Sequence, residues 1–336
     1  MKVNLLGTNI YKSKLLKRGL EFASDNGALF GASVSLGCAT VVRPLAIYST
    51  PKTDKENRKL ACAKSFSSSA VGFGLMCGVS LPLGNSIKKI NNAPEKYLKQ
   101  KTITNLKEAG KPLTASKGYQ FSTQLFKLGI GAVTAIPKAI ITCALIPPIM
   151  GLFFNQGANG VNGVNTKDNQ SKTTPKKNSP TFTGLPKEPL TKGIAKIINS
   201  DNTQKLAEKL KDTNYAMHIA TATDTLATGT FIYQTKKNPQ IKEDRKKPLM
   251  YNAGISTGLS IGASYCIDKV TEKPAEKFIN KFSEINKESP KLEKYVEGIK
   301  IAKPLLILGT VYYGAIPFVS TFLAERLDNK QKNKAG

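Results

Sequence analysis

Residues 215–233 form an apolar stretch interrupted by His218, Thr221, Asp224, Thr225 and Thr228. At about 100° per residue the five fall within one helical face about 120° wide, a polar stripe with a carboxylate near its middle. An aspartate at the centre of a membrane helix costs about 2.5–3.5 kcal/mol, so it has to face protein or water rather than lipid. Two kinds of chemistry suit such a stripe: holding an ion or proton, or pairing helices through a buried charge. Arg43 is the expected counter-charge, because an internal sequence match aligns it with Thr228, about one helical turn from Asp224. Lys138 is a further candidate. It sits beside Pro137 inside a long apolar run, where a broken helix would expose backbone carbonyls to a cavity. Asp25, Lys64 and Asp268 lie in or beside apolar stretches; for Lys64 and Asp268, near segment ends, reaching the interface is explanation enough.

Other chemistries find little footing. The chain has one histidine and five cysteines, at 38, 62, 77, 143 and 266. None makes a Cys-x-x-Cys pair or a Cys/His cluster of metal-ligand spacing, so no metal site and no cofactor is expected, and the cysteines are read as reduced packing residues. There is no Gly-x-x-x-x-Gly-Lys phosphate loop, no Gly-x-Ser-x-Gly elbow and no His-Glu-x-x-His. The expectation is a protein that is not an enzyme.

The elements that must carry these residues are apolar blocks separated by charge. Residues 27–48, 60–83, 121–154, 215–233, 248–267 and 301–324 each hold a window of about 20 residues, the helix length that crosses a hydrocarbon core about 30 Å thick. Gly254, Gly258 and Gly262 form two overlapping Gly-x-x-x-Gly motifs, and Ala70, Gly74 and Gly78 repeat the spacing. In a soluble helix each glycine costs about 1 kcal/mol against alanine. In a membrane such strips let backbones approach, within one chain or between copies in a homo-oligomer. The expected fold class is therefore all-α: a multi-pass membrane protein of about six hydrophobic helices.

Those helices are expected to form two tandem three-segment repeats. Ile47-Tyr48 matches Ile232-Tyr233, Lys55-Glu56 matches Lys242-Glu243, and Gly74-Leu75 with Gly78 matches Gly258-Leu259 with Gly262. Glu95-Lys96 then matches Glu276-Lys277, and Ala135-Ile136-Pro137 matches Ala315-Ile316-Pro317, in the same order. Separations stay within about 180–187 positions, which is the mark of duplication rather than of shared lysine content. The expected organisation is a basic N-terminal segment (1–24), a first unit (25–154), a flexible polar linker (155–189), a second unit led by an amphipathic helix (190–330) and a basic tail (331–336). The leading amphipathic segment is expected to cap the second unit. With three crossings each, the copies would be inverted, although both matched basic loops, 52–59 and 236–247, favour the same side by the positive-inside bias. A hairpin at Pro137-Lys138 would restore parallel copies. No cleaved signal peptide is expected, since residues 1–22 lack an apolar core ending in small residues.

Lysine and arginine total 50 against 23 acidic residues, a formal charge of +27, while the mean hydropathy of −0.23 averages apolar blocks with basic connectors. That excess calls for water or an anionic partner. Anionic lipid head groups are the simplest, because the chain has no tryptophan and no visible nucleic-acid reading module. The favoured activity is passage of a small solute or ion between the two units. The alternatives are a structural or scaffolding membrane protein that binds anionic lipid or an acidic partner, and a soluble polyanion-binding helical protein.

Overall fold

The structure, a computed structural model, describes residues 10–49, 55–154, 187–239, 241, 243–317 and 319. The basic tail, nearly all of the expected linker, part of the loop 52–59, the far end of the sixth apolar stretch and the side chain of Lys64 lie outside the described residues.

The described residues are helical, with no strand. Helix α1 (Lys14–Asp25) starts at Ser13, whose hydroxyl accepts a hydrogen bond from the Leu16 N–H at 3.4 Å, and ends at Asn26. Helix α2 (Gly27–Gly37) continues through a π-helical turn, Cys38–Val42, into α3 (Arg43–Tyr48). There follow α4 (Lys55–Asn92), the short α5 (Pro94–Tyr97) and α6 (Gln100–Leu106), and the long α7 (Lys117–Phe154). The second half comprises α8 (Lys187–Ile198), α9 (Asp201–Leu210), α10 (Tyr215–Lys237), α11 (Glu243–Val270), α12 (Glu272–Ile285) and α13 (Leu292–Thr310), which runs into a second π-helical turn, Val311–Ala315.

Among the described residues, three helical stretches are long and apolar enough to cross a membrane: Gly27–Tyr48, Ser65–Asn92 and Lys117–Leu145. All three lie in the first half. Helices α10, α11 and α13 of the second half are more polar, with Asp224 in α10, Asp268 and Lys269 in α11, and Glu293, Glu297, Lys300 and Lys303 in α13. The first-half helices bury only 22–33% of their apolar windows. Val41, Leu45, Leu81, Val133, Ile136 and Ile140 instead face outward, as apolar side chains do on a surface that meets lipid or another protein.

Neighbouring contacts fix the helix directions. Along α7 and α10, Lys117 pairs with Asp212 just ahead of α10, Phe121 with Tyr215, Gly131 with Thr223 and Cys143 with Thr235, so the two run parallel. Gly27 meets Ile301, Gly31 meets Leu305 and Val34 meets Gly309, so α2 and α13 are parallel as well. Helix α4 runs against α2 and α7, through Asn26 at Gly84, Tyr119 with Asn91 and Met76 with Thr134. Helix α11 likewise runs against α10 and α13, through His218 with Tyr265, Thr228 with Thr257 and Asp268 with Lys303. The helices that the internal match pairs thus point the same way, not in the inverted sense. Phe154 consequently lies at the opposite end of the bundle from Lys187, whose helix α8 packs Ile194, Ala195 and Ile198 against Leu83, Ile87 and Ile90 of α4.

The amphipathic segment at 190–211 does cap the bundle, but on the first half, at α4, α6 and α7, rather than on the second. Helix α1 does the converse: Leu20 packs with Phe282 of α12 and Tyr295 and Ile299 of α13. Pro137 does not break α7, which stays helical from Lys117 to Phe154, with Ala139 and Cys143 packed against Phe231 and Ala253. One absent N–H is tolerated where tertiary packing holds both sides of the proline. Among the described glycines the closest backbone approach falls at Gly298, where an added Cβ would overlap the Leu20 carbonyl. A methyl at Gly74, Gly258 or Gly262 would meet nothing within 4 Å, and one at Gly254 would only touch Ile232 Cδ1 at 3.8 Å; among the described residues these four glycines carry no close approach.

Candidate functional site

Both halves supply the walls of a cavity of about 250 Å³ near the middle of the bundle. Helices α2, α4, α7, α10, α11 and α13 all contribute, and among the described residues three charged side chains reach it: Arg43, Lys138 and Asp224. Hydroxyls and amides line much of the remainder, among them Ser65, Ser69, Thr142, Thr228, Asn252 and Tyr312.

Local backbone irregularity aims two of the key groups. The π-helical turn Cys38–Val42 immediately precedes Arg43, the turn Val311–Ala315 contains Tyr312 and Tyr313, and the two turns touch. A π turn inserts an extra residue and rotates the next stretch of helix about its axis, a device common at functional sites. The Arg43 guanidinium carbon lies 5.7 Å from the Tyr312 ring centroid, and Tyr313 shares a 2.9 Å hydrogen bond with Ser69. Gly72 makes room for Lys138: an added Cβ would sit 2.9 Å from Lys138 Cε.

Among the described residues none of the three charges is matched by an ion pair or a hydrogen bond, and Arg43 has the Tyr312 ring beside it. Arg43 is buried, at 8% exposure, and its Nε has no hydrogen-bond partner. Among the described residues neither Lys138 nor Asp224 makes a hydrogen bond or an ion pair within 4 Å; they act on each other only through space. Lys138, rather than Arg43, is the cation whose field reaches Asp224. Asp224 itself remains solvent-accessible. Ser65 Oγ and Thr142 Oγ1 are likewise buried in the wall without partners.

The structure divides the polar stripe of α10. Asp224 and Thr228 sit at its edge and line the cavity. His218, Thr221 and Thr225 turn toward α11, where His218 Nδ1 lies 2.7 Å from the Tyr265 hydroxyl and Thr221 Oγ1 lies 3.4 Å from it. Thr228 shares a 2.7 Å hydrogen bond with Thr257 of α11, which also lines the cavity. Lys138 joins the cavity without the broken helix that sequence suggested. Among the described residues no group of three or more His, Cys, Asp or Glu is placed to hold a metal ion.

A second polar cluster, which the sequence did not single out, lies one end of the bundle away. Ser24 Oγ donates to Glu297, Gln124 Nε2 donates to Glu297 Oε1 at 2.9 Å and to the Ser24 carbonyl at 2.8 Å, and Lys127 Nζ donates to the same carbonyl at 2.8 Å. Beside it Asp25 accepts from Lys294 at 2.8 Å and pairs with Lys88 at 3.4 Å. Asp268 is no loose interfacial charge either; it pairs with Lys303 at 2.9 Å and accepts from Asn214 at 2.6 Å. Gln124, Lys127 and Glu297 carry no motif spacing, and only the three-dimensional meeting of α1, α7 and α13 reveals them.

No family model, no curated protein and no solved structure matches this chain.

Proposed function

We propose that the protein is a membrane-embedded helical bundle that binds a small polar solute in the cavity between its two halves and passes it across the bilayer. One observation carries this reading: three charged side chains from both halves line a single cavity and, among the described residues, none makes a hydrogen bond or an ion pair. Arg43 is buried with its Nε unpaired, and unpaired charge away from bulk water is costly, so a site built that way is completed by what it binds. The wall chemistry suits a solute recognised by hydrogen bonds and charge, and nothing in it calls for catalysis.

In this reading the six long helices form two repeats, α2–α3 with α10, α4 with α11 and α7 with α13. Support comes from their matching directions and from the exchange of caps, each half being covered by the leading amphipathic segment of the other. Lysine-rich ends would grip anionic head groups, and the open glycine face of α11 would serve contacts between copies. Uptake by vesicles containing the purified protein tests the site: Asp224→Asn should change uptake while leaving the circular dichroism unaltered, and unchanged uptake would remove Asp224 from the mechanism.

One observation favours a second reading, a soluble polyanion-binding helical protein. Residues 155–186 join opposite ends of the bundle, and their sequence, rich in Asn, Gly, Lys and Thr, has no means of satisfying its backbone in hydrocarbon. An alkaline carbonate wash separates the two. Retention in the pellet supports insertion, and single cysteines placed in the 49–55 and 238–242 connections should then label from one side only. Release to the supernatant overturns insertion and makes the soluble reading the leading one.

A further inference from the structure

Charge and hydrogen-bonding capacity around the cavity are unequal in a way that selects a ligand. Two cations, Arg43 and Lys138, face one anion, Asp224. Lys138 and Asp224 balance each other through space, which leaves Arg43 as the uncompensated charge. Its buried Nε lacks an acceptor, and Ser65 Oγ and Thr142 Oγ1 in the same wall also lack partners. A planar guanidinium is matched best by a planar two-oxygen acceptor, which takes two parallel N–H bonds where a point cation offers one. Tyr312 at 5.7 Å supplies an aromatic face beside it. At about 250 Å³ the space falls below the about 300–1,000 Å³ that holds drug-sized ligands.

From this we infer that the cavity takes a small organic monocarboxylate, bound by Arg43 with Lys138 and the wall hydroxyls, with Asp224 setting the limit of one negative charge. The inference rests on the solute-site reading above but not on passage. A cation would face two like charges, and a neutral solute would leave Arg43 unmatched. A dianion would bring its second charge against Asp224. Removing Asp224 should therefore strengthen anion binding, the opposite of what a cation site would show.

The test is thermal unfolding of the purified full-length chain in a neutral detergent, at constant pH and ionic strength, titrated separately with lactate, glycerol, choline and succinate. Lactate should raise the midpoint in a saturable way, and the other three should not. Arg43→Gln should weaken the lactate response at least tenfold, with Arg43→Lys restoring part of it. Asp224→Asn should tighten it severalfold and admit succinate. If Arg43→Gln does not fold, Lys138→Met, which weakens binding, and Asp224→Asn, which strengthens it, keep the signs opposed. Stabilisation by choline or glycerol with lactate silent would overturn the proposal, as would a lactate response indifferent to Arg43→Gln or weakened by Asp224→Asn. Lactate binding without lactate flux in vesicles would sink passage and leave the ligand class standing. Flux of a neutral solute without carboxylate binding would do the reverse.

Discussion

Two polar clusters in one bundle handle charge in opposite ways. Around Ser24, the carboxylate of Glu297 accepts from Ser24 and Gln124, Lys127 donates to a backbone carbonyl, and Asp25 is held by Lys294 and Lys88. Around the central cavity, Arg43, Lys138 and Asp224 make no such contacts among the described residues. Burial of an ion is tolerated when geometry supplies partners, and removing a partner then costs about 3–5 kcal/mol. The first cluster therefore reads as a joint between α1, α7 and α13, and the second as a place kept open for something else. Perturbed or unmatched charge marks function only when structural pairing has been ruled out.

The largest effect is expected at the joint. Glu297→Gln keeps the shape and most of the hydrogen bonds but removes the charge that Lys127 faces, so it should cost about 3–5 kcal/mol. Asp224→Asn in the cavity should change the stability of the ligand-free protein by less than about 1 kcal/mol, because it breaks no contact. Chemical unfolding of both variants in the same detergent decides the matter. Equal losses would erase the distinction between joint and site.

Asp25 sharpens the same contrast through pH. Burial opposes its charge, yet the hydrogen bond and charge of Lys294, with Lys88 and Lys127 behind it, hold its carboxyl below the ordinary value of 3.8. A carboxyl whose folded pKa is depressed adds stability that is present above its unfolded pKa and disappears as pH falls through the folded one. The chain should therefore lose stability on acidification below about pH 4, with Asp25→Asn about 1.5–3 kcal/mol less stable at pH 7 and correspondingly less sensitive to acid. Parallel acid curves for the two proteins would show that the Asp25 pairs contribute nothing.

The range of the interactions decides which features the sequence disclosed and which it withheld. Helices are local, so the spacing of apolar residues marked the three long apolar stretches Gly27–Tyr48, Ser65–Asn92 and Lys117–Leu145, and Asp224, Arg43 and Lys138 stood out because charge is conspicuous in apolar runs. Their convergence depends on which way each helix runs and on two π-helical turns, and neither property leaves a short-range signature at Cys38–Val42 or Val311–Ala315. Glycine shows the same limit. Gly254, Gly258 and Gly262 have the spacing of a packing strip but make no close backbone approach among the described residues, whereas Gly298, with no motif around it, carries the tightest approach among the described glycines. Spacing says which residues share a face; only the neighbour decides whether that face is used.

The smallest effect should come from His218, and it tests where the boundary of the site lies. Its ring is exposed, stacks on Tyr265 with centroids 5.8 Å apart, and makes a single 2.7 Å hydrogen bond to that hydroxyl. One such bond contributes about 0.5–1.5 kcal/mol, so His218→Ala should lower the unfolding free energy by no more than that. Its response to lactate should match that of the unaltered protein, since the ring points toward α11 and away from the cavity wall. A carboxylate response lost in His218→Ala but intact in Thr225→Val would extend the site across the stripe and make Tyr265 part of it. A response lost in neither would confine the chemistry to the edge of α10 that Asp224 and Thr228 share.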